Sequence, residues 1–130
     1  MTKRATALVM AVAAGAATLT AGVAGSAMAG GRAATTVTIQ AEGTDLSGTV
    51  RSARPAICAD ERTVIVFRQR GTRGGGNDER FAMDTSEQQG DDYVWSTGNT
   101  GTAGRFYAKV RRTAQCQADT SPTIRAVRNN

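Results

Sequence analysis

Cys58 and Cys116 are the only cysteines of this 130-residue chain, and it contains no histidine. A thiol nucleophile normally needs a base such as histidine beside it. A zinc site built on two cysteines needs further ligands, of which a Cys-x-x-Cys spacing is the usual sign. The sequence supplies neither, so a structural disulfide is the strongest reading, with a metal pair and a reactive thiol left as weaker alternatives. An exported chain with just two cysteines has a single connectivity. Closing a loop of nearly 60 residues stabilises by about 4 kcal/mol in the chain-entropy model, less any strain.

The missing histidine also removes Ser-His-Asp catalysis and the one side chain that titrates near neutrality unperturbed. Carboxylates are the remaining acid–base groups. Asp78-Glu79 and Asp91-Asp92 stand in adjacent pairs, but neighbours on a strand point to opposite faces. They read first as solvated turn charges, then as a calcium site completed by backbone carbonyls, and last as a catalytic dyad. No catalytic residue, metal or cofactor is assigned, and the chain is expected not to be an enzyme.

Arginine dominates the positive charge: apart from Lys3, Lys109 is the only lysine. Leaving out Lys3 and Arg4, 14 basic residues face 11 acidic ones, a net charge of +3. So mild an excess does not point to nucleic acid, which calls for a concentrated basic stripe. A GC-rich gene explains arginine in place of lysine most simply, with bidentate contacts to phosphate, sulfate or carboxylate as the sharper alternative. Arg68, Arg70, Arg73 and Arg80 surround the longest irregular stretch, which has Gly74-Gly75-Gly76 at its centre. These four are the candidate polyanion-binding residues. The glycines themselves read as a mobile loop tip, since no Gly-Lys-Ser/Thr ending and no helix follow to make a phosphate cradle. Tyr93 and Trp95 are the candidate platform for stacking on a glycan ring, if Trp95 is exposed; as core it fits between two sheets.

The elements that must position these residues begin after a leader. Lys3-Arg4, the nearly uncharged run Ala5–Ala24 and the small-x-small site Ala27-Met28-Ala29 have the form of a signal peptide over 1–29. Glycines and threonines dilute the apolar run, which argues against a retained span. Residues 30–35 are expected to be a flexible N-terminus and 36–128 a single β-sandwich domain. In that domain the apolar period is two. Val37 and Ile39 alternate with threonines, and Leu46, Gly48 and Val50 continue the pattern. Thr63–Phe67 is continuously apolar and β-branched, which suits a central strand. Phe81 and Met83 form a weaker pair, and Tyr93–Trp95 a short aromatic strand. Phe106, Ala108 and Val110 point inward while Lys109 and Arg111 point to water, and Thr123–Val127 closes the set. About seven short strands between Gly, Asp, Asn and Thr turns make an all-β antiparallel sandwich with one disulfide the expected fold. Ala82–Gln89 could hold one helical turn.

Leu46-Ser47-Gly48-Thr49-Val50, the strand Thr63–Phe67 and the run Gly101 to Val110 resemble bacterial carboxypeptidase-regulatory-like domains of the wider transthyretin-like group. The resemblance covers Thr36 to Val127. The longer segment Asp84–Gly90 before Tyr93 departs from the family's Asp-x-x-Gly-aromatic turn. The resemblance implies a non-catalytic support or adhesion module and carries over no catalytic residues. The expected role is therefore a secreted structural or adhesive module at the bacterial cell surface, with binding of acidic envelope polymers or glycans as the alternative. A small protease inhibitor ranks third, because a glycine-rich loop lacks the rigidity of a reactive loop. The partner is unidentified, either an envelope polymer or a surface protein, and no membrane is engaged once the leader is removed.

Overall fold

Apolar residues at every second position give this chain strands, because successive side chains point to opposite faces and the apolar face must be buried. A computed structural model describes residues 31–129; the expected leader, 1–29, lies outside the described residues. The strands run β1 Thr35–Val37, β2 Gln40–Glu42, β3 Asp45–Ser52, β4 Thr63–Arg68, β5 Glu79–Thr85, β6 Glu87–Gln89, β7 Asp92–Asn99, β8 Gly104–Val110, β9 Asp119–Thr120 and β10 Ile124–Ala126. One helical turn, α1 Pro55–Cys58, separates β3 from β4. Two antiparallel sheets result: β1-β3-β7-β6 with β2 also on β3, and β10-β8-β4-β5 with β9 also on β8. Among the described residues no helix is long and apolar enough to cross a membrane.

The all-β sandwich with one disulfide is as expected, but with ten strands among the described residues where about seven were foreseen. The excess comes from pieces of two or three residues, β2, β6 and β9, too short to show an alternation. Edges broken into short pieces also make poor templates for pairing with another chain. The possible helical turn at Ala82–Gln89 is instead the end of β5 and all of β6. Helix appears at Pro55, where the fixed φ of proline suits a first helical position.

The core lies between the sheets. Val37, Leu46, Val50 and Trp95 from the first meet Val64, Val66, Phe106, Ala108, Val110 and Ala126 from the second. Trp95 is 1% exposed, and its indole N–H donates to the Thr38 carbonyl at 3.1 Å. Gly48 faces Trp95 across the β3–β7 ladder. A Cβ on Gly48 would stand 2.0 Å from the Thr38 carbonyl oxygen and 2.8 Å from the indole nitrogen, so only glycine fits there. Phe81 and Met83, expected as a pair on one face, part company. The β4–β5 register shifts between Val66 and Phe67; Phe81 packs inward, its ring 4.9 Å from that of Phe106, while Met83 is 57% exposed.

Ser86, buried where the chain leaves the second sheet for the first, fastens this crossing. Its backbone N–H donates to the Arg62 carbonyl, its own carbonyl accepts from Glu61 N–H, and its hydroxyl donates to the Ala59 carbonyl. At the same end Cys58 and Cys116 form the disulfide, with Cα atoms 5.5 Å apart, inside the roughly 7 Å limit for a bridge. Ala33 packs fully buried against both cysteines. Its N–H donates to Gln115 O and its carbonyl accepts from Gln117 N–H, each at 2.8 Å. The expected flexible N-terminus at 30–35 is thus corrected from Ala33 onward: these residues are held by the loop that carries Cys116.

Candidate polyanion-binding face

Strand register decides which charged side chains share a face. In the second sheet Phe67 lies opposite Tyr107, Ile65 opposite Lys109, and Arg105 opposite Arg125. On the other side of β4, Phe67 faces Arg80 and Ile65 faces Met83. Val64, Val66, Phe106 and Ala108 fill the core, so by alternation these paired residues turn away from it. Arg111, directly after β8, continues the outward series. Arg80, Arg105, Lys109, Arg111 and Arg125 therefore stand on one face. No acidic residue occupies an outward position on β4, β5, β8 or β10. With strands about 4.8 Å apart and a rise of about 3.4 Å per residue, the patch measures about 14 Å by 20 Å. The outward positions of the first sheet mix uncharged Gln40, Ser47, Thr49 and Ser96 with charges of both signs, Arg51 and Glu87.

The apolar part of this face runs along β4. Phe67 and Tyr107 stack with ring centroids 5.4 Å apart and planes 17° apart. The Arg73 guanidinium sits 4.6 Å from the Tyr107 centroid, a cation–π distance. Arg73 comes from the β4–β5 loop, whose expected mobile glycine tip is in fact organised around Asp78. The Asp78 carboxylate accepts from Arg70 N–H at 3.1 Å, from Gly74 N–H at 2.9 Å and from the Tyr107 hydroxyl. Gly71, Gly74 and Gly76 supply positive φ angles of 71°, 76° and 97°, which glycine adopts without a Cβ clash. The Tyr107 hydroxyl holds Asp78 below the usual carboxylate range, helped by the two N–H donors and the Arg73 charge. Burial, and next the bond to Asp78, push Tyr107 up to about 12.

Of the four arginines expected to bind polyanions, the structure brings two to this face. Arg73 and Arg80 belong to it. Arg68 does not: it turns to the end of the sandwich, where its Nη2 donates to the Ala103 carbonyl at 3.2 Å. Arg70 is neutralised by Glu79 at 2.8 Å. Arg105, Lys109, Arg111 and Arg125 were not among the candidates. The alternation in β8 already put Lys109 and Arg111 toward water in the sequence; the structure extends it back to Arg105, and only the pairing of β10 with β8 adds Arg125.

The glycan platform proposed for Tyr93 and Trp95 is corrected. Both point inward on β7; Trp95 is core and Tyr93 packs half-buried against it, so the indole offers no free face to a sugar. Asp91 lies in the β6–β7 turn and Asp92 opens β7, both exposed, and no group of three or more His, Cys, Asp or Glu converges among the described residues. Asp78 and Glu79 are engaged separately, by Tyr107 and Arg70. No family model matches the chain, and neither does any curated protein.

Proposed function

We propose that this chain is a secreted, non-catalytic β-sandwich module of the bacterial cell surface, akin to the carboxypeptidase-regulatory-like and transthyretin-like domains it resembles. Its adhesive surface is the outward face of β10-β8-β4-β5, and its partner is an acidic envelope polysaccharide. One observation carries this reading: Arg105 and Arg125 are directly opposed on that face, with Arg105 neutralised by no carboxylate and bonded only to the Gly71 carbonyl at 3.1 Å. Like charges directly opposite are destabilising; a bound polyanion relieves the repulsion, and a plain solubilising surface has no use for it. Arg80, Lys109 and Arg111 widen the field, and among the described residues none of their side chains has a carboxylate partner. The form of residues 1–29 supports secretion, and the disulfide suits an oxidising compartment.

The attraction is electrostatic, so it is screened by salt. Between about 0.05 M and about 0.5 M salt the Debye length falls from about 14 Å to about 4 Å. Protein produced from the full chain is expected to be retained on immobilised polygalacturonate at the lower salt and released at the higher, and to pass through neutral galactan at both. Equal retention on the neutral polymer, or retention that survives high salt, would return the protein to a purely structural role or a shape-based site.

A further inference from the structure

Resting on that reading, we infer that the cationic face ends in a carboxylate-recognition pocket, sized for one acidic sugar residue. The pocket has a volume of about 320 Å³ and lies where β4 and β5 approach the segment after β8, near the lower end of the range usual for small-ligand sites. Its apolar lining is Ile65 and Met83, and its cationic lining is Arg80 and Arg111. An apolar floor between two guanidinium groups matches a compact ring carrying a carboxylate: the guanidinium fork suits a planar oxyanion, and the ring's C–H face covers the hydrocarbon.

Arg62 also lines the pocket, but its guanidinium is bonded on the side of the chain away from it, and of its four partner residues only Arg111 lines the pocket. It is 5% exposed, yet its guanidinium is held only by neutral acceptors: Thr35 Oγ1 and the carbonyls of Cys58, Arg111 and Gln117. Buried cations are normally paired with a counter-charge, and none of the described carboxylates pairs with Arg62. Its burial depresses its pKa, and its four neutral acceptors take the place of water around the charge. Glu61, also at the pocket, opposes a bound anion. The balance of the two guanidinium groups of Arg80 and Arg111 to one carboxylate still favours an anion, and Glu61 sets how tightly it is held.

The same chemistry is offered by a free sugar acid and by one residue of an acidic polymer. Titration of ¹⁵N-labelled protein, produced from the full chain, with galacturonate and with oligogalacturonate separates the two. The proposal expects galacturonate to shift the amides of Thr63, Ile65 and Met83, and galactose to leave them unmoved. The paired variant Arg80→Gln with Arg111→Gln is expected to weaken galacturonate by about tenfold, as the loss of charge-assisted bonds implies, whereas Arg51→Gln, on β3 of the other sheet, leaves it within about twofold. Glu61→Gln is expected to tighten it. If oligogalacturonate shifts these amides and the monomer does not, the pocket is a polymer subsite only and the free-acid source is excluded. If neither ligand shifts them while the polymer still binds at low salt, the pocket proposal is overturned and the wider function stands. If the polymer fails as well, both fall. Amide shifts with galactose equal to those with galacturonate would also overturn the carboxylate.

Discussion

Asp78 supplies the β4–β5 loop with the acceptor its glycines need, and so decides the setting of Tyr107 on the binding face. The coupling has a sign in each direction of pH. A carboxylate held below its usual range contributes stability that is present above about pH 4 and is lost as pH falls through the lowered value. A phenol raised to about 12 contributes stability that is complete below about pH 10 and is lost as pH rises toward 12. The tyrosinate absorbance of the native protein, minus that of Tyr107→Phe, is therefore expected to show a step near pH 12. In Asp78→Asn the step moves down but stops short of about 10, because burial is the larger cause and remains. A native step at about 10 would contradict the arrangement. Little of this was legible in the sequence. A glycine run advertises backbone freedom, whereas the carboxylate that uses that freedom is recognised only when β8 brings the Tyr107 hydroxyl to the loop.

At the scale of elements, alternation spoke clearly wherever a strand was long. The inward Phe106, Ala108 and Val110 of β8 and the apolar run of β4 were read directly, because burial on one face or two leaves a pattern of its own. Strands β2, β6 and β9 are too short to leave one, and the bulge that separates Phe81 from Met83 breaks the period it would be detected by. The β3–β7 pair shows the reverse case, in which one residue reveals the packing. Gly48 stands in the strand because the Trp95 indole and the Thr38 carbonyl occupy the space of its Cβ. Gly48→Ala is expected to lower the urea midpoint, with a loss of about 2 kcal/mol or more from overpacking. An unchanged midpoint would mean that Trp95 is free to move aside and that the two sheets are less closely keyed than the geometry implies.

On the scale of the whole molecule, sheet order converts a mild net charge into a one-sided one. A charge of +3 outside Lys3 and Arg4 looks unremarkable in a list, and the arginines nearest the loop looked the best placed. The fold spends Arg68 on a carbonyl and Arg70 on Glu79, and gathers Arg105, Lys109, Arg111 and Arg125 beside Arg80 instead. Two of those strands, β8 and β10, are joined by a connection that also contains Cys116 and β9, so no local pattern predicts that Arg125 lands opposite Arg105. The disulfide at the pocket end of the sandwich holds this connection to α1. The central claim is that the outward face of the second sheet is where an acidic polymer binds. Mapping oligogalacturonate onto ¹⁵N-labelled protein by chemical-shift perturbation tests it most directly. The account predicts changes concentrated at Arg80, Arg105, Lys109 and Arg125. Changes concentrated instead at Ser47, Thr49 and Ser96, on the outward face of the first sheet, would contradict it.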